Sequence, residues 1–241
     1  MIIELLSDDK RCIAAKRALA LKPLPYEKLF ILPIPSFKGG KLFGTDFGER
    51  ELLSLVSGAD ALLGYGIPES VKVELSKKGA RVFDAAECEK FLLKNAYLTA
   101  VGSIGEIITA RQHSPEKTEF LIVGYGRIGK ELTRLLVALG AVPTVMSGRE
   151  GVRKELMQNG IKAIACAEAL PASLDVIINT APTPFTDRAG VELLHARGVS
   201  IFDLASGENF GGSPFVERLS GIPGKFYPEC AGEAYAEVVG I

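Results

Sequence analysis

Tryptophan is absent from this sequence and histidine nearly so, with only His113 and His195. Two histidines are too few for a histidine-rich metal centre. The four cysteines, Cys12, Cys88, Cys166 and Cys230, are scattered, with no C-x-x-C pair and no histidine close by. A zinc site or a disulfide framework needs tighter clustering. No metal site is therefore expected, and the thiols read as reduced and structural, in a cytoplasmic protein. Positive charge is not in excess, since 28 Lys and Arg stand against 29 Asp and Glu. A protein that lives on nucleic acid or an anionic membrane usually carries a basic surplus, so neither partner is expected. No stretch approaches the ~18 uninterrupted apolar residues of a transmembrane helix. Residues Met1 to Asp9 lack a basic leader region and carry Glu4, so they read as a first strand rather than a signal peptide.

What the sequence has in surplus is glycine, 26 in 241 residues, ten before residue 118 and sixteen after it. At roughly 150 residues per domain, the length allows one large domain or two small ones. The first part alternates short apolar runs with helical spacing. Strands are expected at Ile2–Leu6, Phe30–Ile34, Ala61–Tyr65 and Arg81–Phe83, with helices at Lys10–Leu21, Arg50–Val56 and Glu69–Lys77. Pro33 and Pro35 confine the second strand to a sheet edge or to a strand end. Residues Lys94 to Gln112 suit a mostly buried helix that carries Gly102 and Gly105, and a polar break with Pro115 follows. The second part repeats the β-α order from Phe120 to Asp203, with Lys225–Tyr227 as the expected last strand and Glu229–Val239 as a closing helix. The order argues for an α/β fold of two Rossmann-like parallel-sheet domains joined by a connecting helix. The expected division is residues 1–94, a connecting helix and hinge at 95–117, a dinucleotide-binding domain at 118–228 and a C-terminal helix at 229–241.

Gly124-Tyr125-Gly126-Arg127-Ile128-Gly129 follows the strand Phe120–Val123 at once and opens a helix. In that setting a G-x-G-x-x-G run has a mechanism. The first glycine turns the chain tightly, the second admits a pyrophosphate to the backbone, and the third packs helix on strand. The helix N-terminus then offers N–H groups to phosphate. An NAD site usually places Asp or Glu at the end of the next strand, to hold the ribose 2′-hydroxyl. Here that strand runs into Ser147-Gly148-Arg149, with Arg153 one turn on. A hydroxyl beside guanidinium groups suits a 2′-phosphate, so NADP is expected, with NAD as the second choice. Asn179-Thr180-Ala181-Pro182 and Asp203-Leu204-Ala205-Ser206 end two further strands, where an open α/β sheet binds its ligand, and they complete the expected cofactor contacts.

Residues Lys94 to Glu106, the glycine turn, Leu135–Ala141, Asn179-Thr180 with Pro182, Asp203–Ser206 and Ile222-Pro223-Gly224-Lys225 together resemble the family of dipicolinate synthase A subunits. The resemblance covers about residues 95–237 and is looser before them, where Asp9-x-Arg11 and Ile31-Leu32-Pro33 are the best matches. It implies an architecture similar to the 2-hydroxyacid dehydrogenases. It also implies an NADP-linked oxidoreductase that converts a dihydrodipicolinate-type precursor to dipicolinate in sporulation, with a flavoprotein-like B subunit as partner. This chain is shorter than that family leads one to expect, mostly in the first domain.

A dicarboxylate substrate calls for positive groups in the loops after the first-domain strands: Lys10 and Arg11 after the first, Ser36 and Lys38 after the second. Glu106 in the connecting helix is the candidate acid or base. Neither histidine fits that role, because His195 lies in a helix before a strand and His113 in the break. A homo-oligomer is expected. Two other functions stay open: an NAD(P)-binding sensor or scaffold without its own chemistry, and a dehydrogenase of another small carboxylic acid.

Overall fold

The apolar runs become strands of two parallel sheets. The computed structural model describes residues 1–207 and 209–240, so Ile241, the last residue of the expected C-terminal helix, lies outside the described residues. Residues 1–95 with 223–240 form one α/β unit, and residues 96–222 form the other.

The first unit runs β1 (Ile2–Leu5), α1 (Lys10–Ala20), β2 (Lys28–Ile31), a small hairpin of β3 (Phe37–Lys38) and β4 (Lys41–Leu42), α2 (Glu49–Leu55), β5 (Ala61–Gly64), α3 (Glu69–Lys77), β6 (Arg81–Asp84) and the start of α4 (Glu89–Arg111). Asp9 caps α1, its carboxylate accepting from the Arg11 N–H at 2.9 Å. The parallel sheet has the order β1-β2-β5-β6. The second strand is therefore interior rather than at an edge. Its prolines lie beyond Ile31, where the ladder has already ended, and the Ile34–Pro35 peptide is cis. Alternate residues face opposite ways. Leu29 and Ile31 join Cys12, Ala15 and Leu19 of α1, while Phe30 and Leu32 join Leu52 of α2 and Val71 and Leu75 of α3. The steps from β1 to β2 and from β5 to β6 run the same way across the sheet, but α1 and α3 lie on opposite faces. Two such crossovers have opposite hands, so one of them is left-handed, against a right-handed preference of about 98%.

The second unit runs β7 (Phe120–Val123), α5 (Arg127–Ala138), β8 (Thr144–Met146), α6 (Glu150–Gln158), β9 (Lys162–Ile164), β10 (Val176–Asn179), α7 (Arg188–Ala196), β11 (Ser200–Asp203) and β12 (Val216–Arg218). These six strands make one parallel sheet. Of the expected strand at Lys225–Tyr227, Lys225 and Phe226 instead end α8 (Ile222–Phe226) and Tyr227 caps the helix that follows, so among the described residues the last strand is β12. Pro223 sits in the first turn of α8, where its fixed φ suits a helix and its missing N–H costs nothing. The connecting helix α4 begins earlier than expected and runs unbroken through Gly102 and Gly105.

The closing helix α9 (Pro228–Glu237) belongs to the first unit and lies along α1. A Cβ on Gly232 would stand 2.4 Å from the Ala14 Cβ and 2.5 Å from the Arg11 carbonyl oxygen, so only glycine permits this crossing. Among the described residues no helix is long and apolar enough to cross a membrane.

Candidate functional site

In the second sheet the order β9-β8-β7-β10-β11-β12 reverses direction between β7 and β10. Such a switch point opens a crevice at the strand carboxyl ends. The register there is even: Val123 lies beside Met146 on one side and Asn179 on the other, and Asn179 lies beside Asp203. The glycine turn, Ser147, Thr180 and Leu204 thus all leave the sheet from one row.

Gly124 has φ +94°, a left-handed conformation. A Cβ on it would stand 2.8 Å from Thr180 Oγ1. That hydroxyl in turn donates to the Val123 carbonyl at 2.9 Å, and Thr180 N–H donates to the same oxygen at 2.8 Å. Gly129, in the first turn of α5, would press a Cβ to 2.3 Å from the Gly124 carbonyl oxygen. Gly126 is the exposed N-cap of α5 with no side-chain cap, and a Cβ on it would meet no atom within 4 Å. The three glycines therefore divide the work as their spacing suggests: turn, open approach and close packing. Ile128 packs into the core, and Arg127 is exposed. Tyr125 is half-buried, and its phenol is pushed up by burial and by Glu155.

One guanidinium closes on this turn and a second on the loop that follows β8. Arg149 Nη2 donates to the Tyr125 carbonyl at 3.2 Å, and Arg153 Nη1 donates to the Ser147 carbonyl at 2.7 Å. Ser147 is buried, and its hydroxyl oxygen accepts from Arg149 N–H at 3.3 Å. Gly148 is exposed beside them. Glu150, the nearest carboxylate in sequence, is paired with Lys154 at 2.7 Å on α6. The strand end thus offers positive charge, the complement of a 2′-phosphate.

Asn179 and Asp203 are buried. Asn179 Nδ2 donates to Asp203 Oδ1 at 2.8 Å and to the Ala181 carbonyl at 3.1 Å, and its Oδ1 accepts from Ala181 N–H at 3.3 Å. Asp203 also accepts from Ala205 N–H at 3.2 Å and from Asn209 Nδ2 at 3.2 Å. The pair locks two loops together, leaving Pro182 and Ser206 exposed and Leu204 and Ala205 half-buried. Sequence reasoning misses Asn209 and the edge-to-face pair Phe185–Phe210, whose ring centres are 5.6 Å apart. They sit in irregular loops where no periodicity marks them.

In the first unit, Arg11 and Ser36 also follow strand carboxyl ends. Asp9 grips Arg11, taking Nε at 3.0 Å and Nη2 at 2.6 Å, and Arg11 Nη2 also donates to the Ile34 carbonyl at 2.6 Å. Gly224 lies against the same guanidinium, where a Cβ would come within 2.9 Å of Nε. Ser36, expected to contact substrate, is fully buried. Its hydroxyl donates to the Pro33 carbonyl at 3.0 Å and accepts from Tyr65 N–H at 2.7 Å, so it fastens the loop instead. Lys10 and Lys38 are exposed. Sequence reasoning also misses Asp84, whose buried carboxylate accepts from Gly66, Ile67 and Ala86 N–H and pairs with Lys72 at 2.9 Å. Burial would raise its pKa, but the Lys72 and backbone donors outweigh that and hold it below the usual carboxylate range. Glu106 lies half-buried on the part of α4 that belongs to the second unit. Among the described residues no three His, Cys, Asp or Glu side chains gather as a metal site.

No protein-family model matches the chain. It is 22% identical over 236 residues to the A subunit of dipicolinate synthase from Bacillus subtilis (strain 168), covering 90% of this chain and 78% of that protein. A crystal structure of the dipicolinate synthase A subunit from Bacillus halodurans matches with a TM-score of 0.75 at 19% identity, over 98% of this chain and 95% of that one. A D-lactate dehydrogenase from Treponema pallidum matches with a TM-score of 0.52 at 10% identity, over 99% and 94% of the two chains. The chain therefore resembles the dipicolinate synthase A subunit, on a fold shared with dehydrogenases.

Proposed function

We propose that this protein is an NADP-linked oxidoreductase of the kind found in the A subunit of dipicolinate synthase, oxidising a dihydrodipicolinate-type dicarboxylate to the aromatic pyridine dicarboxylate. The observation that carries the reading is the pair of arginines at the carboxyl-end row of the sheet, Arg149 on the Tyr125 carbonyl of the glycine turn and Arg153 on the Ser147 carbonyl after β8. The residues fit the cofactor. Gly126 leaves the backbone open to a pyrophosphate, the N-terminus of α5 lacks a side-chain cap, and the two arginines and Ser147 suit a 2′-phosphate. NAD is the second choice. When bound, the cofactor supplies the hydride acceptor.

Arg11 is the residue suited to a substrate carboxylate, because Asp9 fixes its orientation before any ligand arrives. Lys10 and Lys38 add positive charge, and Ser36 holds the loop that Arg11 touches through Ile34. Loss of a hydride from a dihydropyridine leaves one proton to remove, and Glu106 is the candidate to take it. Aromatisation makes that proton acidic, so a strong base is dispensable. A cytoplasmic role in sporulation, a flavoprotein-like B subunit and a homo-oligomer belong to the same proposal.

Fluorescence titration with NADPH and NADH tests the cofactor. The expected result is tighter NADPH binding, lowered about tenfold or more in R149A/R153A with little change for NADH. Adding dihydrodipicolinate, with and without the B subunit, and following ultraviolet absorbance for dipicolinate tests the reaction. Binding without turnover in both arms would support the sensor reading. Turnover unchanged in Glu106→Gln would remove Glu106 from the chemistry.

A further inference from the structure

The chain's two histidines, although 82 positions apart by their numbers 113 and 195, line one cavity of about 690 Å³. It lies in the second unit at the amino end of β11, where Val199 and Ser200 form part of its wall. Its wall runs from Val199 along β11 to Phe202, and none of the glycine turn, Ser147, Asn179 or Asp203 is among its lining residues. Nothing in the proposed chemistry uses it.

Three groups make it more than a surface dent. The guanidinium of Arg111, at the end of α4, lines it with most of its hydrogen-bonding capacity unused. Nη1 donates to Ser200 Oγ at 3.0 Å and reaches the Gly198 carbonyl at 3.5 Å. Nη2 is ion-paired with Asp175 Oδ1 at 3.8 Å, beyond hydrogen-bond reach, and the Nε–H is buried without an acceptor. An arginine kept in that condition carries a standing cost that an incoming acceptor relieves. His113 Nδ1 lies 2.7 Å from the Arg111 carbonyl. A carbonyl only accepts, so Nδ1 carries a proton and Nε2 is the nitrogen left for a ligand. His195 stacks on Phe215 with ring centres 4.2 Å apart and an angle of 20° between the rings, giving the wall a flat π-surface. Glu217 is the acid that lines the same cavity.

We infer that this cavity is a second binding site, for a small oxyanion, with the Arg111 guanidinium as its donor and the two imidazoles in its lining. The guanidinium selects phosphate or carboxylate oxygen rather than a cation, and the Phe215–His195 stack favours an oxyanion borne on a planar ring.

The scarcity of histidine supplies the test. In the full chain labelled with carbon-13 histidine, only two Cε1–H signals exist, and both report on this cavity. Inorganic phosphate and benzoate are titrated separately, to distinguish a phosphate from a ring carboxylate as the source of the oxygen. The expected result is that both signals move saturably with at least one of them, and not with chloride at matched ionic strength. In R111Q, with its melting midpoint checked for intact folding, the affinity should fall about tenfold. In H195N, a conservative change at an exposed position, the remaining His113 signal should still move, with weaker affinity. Absence of saturable movement with both anions, movement reproduced by chloride, or an unchanged affinity in H195N would overturn the inference. So would an unchanged affinity in folded R111Q. None of these readings depends on the dinucleotide or on turnover.

Discussion

At the scale of single residues, the glycine turn has the least latitude. Gly129→Ala would place a methyl 2.3 Å from the Gly124 carbonyl oxygen, and backbone rather than a flexible side chain would have to move. The expected outcome is a loss of roughly 1–3 kcal/mol in urea unfolding together with a marked loss of NADPH binding. Gly126→Ala meets no atom within 4 Å, so it should leave stability nearly intact and weaken the dinucleotide alone. Asp84 makes a pH prediction. Its native pKa is depressed, so its carboxylate stabilises the fold above the unfolded value of about 3.9 and ceases to do so as pH falls through the lower native value. Asp84→Asn should therefore cost about 2–3 kcal/mol near neutral pH. The gap between variant and parent should shrink once the acid form prevails in both states. Urea midpoints for the two proteins across that range would show the convergence.

At the scale of elements, the α1–α9 contact is the sharpest case. Gly232→Val would drive a branched side chain into Ala14 and the Arg11 carbonyl, and thermal unfolding should show a loss of about 2 kcal/mol or more. The sequence shows α1 by its apolar spacing and Asp9 by its capping chemistry, yet nothing in either helix announces the other as partner. The same divide runs through the rest of the fold. Strand β7 and its turn are legible because a left-handed φ and two close approaches can only be written in glycine. The interior place of β2 is not, since Pro33 and Pro35 fit an edge as well as a strand end. Helix α8 reads locally as a strand because Lys225-Phe226-Tyr227 is short and largely apolar, and Pro223 decides its state from outside that window. In the site, Arg149 and Arg153 are visible as charges after a strand. Asn209 and the Phe185–Phe210 pair depend on where loops fold back, and local pattern does not encode that. Ser36 has the chemistry of a ligand hydroxyl in sequence, and only its tertiary burial gives it another task.

At the scale of the molecule, the first unit is built from both ends of the chain and the second from its middle. A protein ending at Ile222 should keep the second unit and lose the first. Hydrogen exchange would then show protected amides in β7, β10 and β11 and rapid exchange in β1, β2 and β5. Equal protection in both sheets would refute this division of dependence. The requirement for α9 also orders events during synthesis. The second unit can close while the chain is still on the ribosome, whereas α1 leaves the exit tunnel long before α9 exists to cover it. With one of its crossovers of the disfavoured hand, the first unit gains little from local strand twist to settle early. The residues of α1 are translated well before those of α9 yet secured only with them, and their bare apolar face is what a ribosome-associated chaperone would find to hold until α9 emerges.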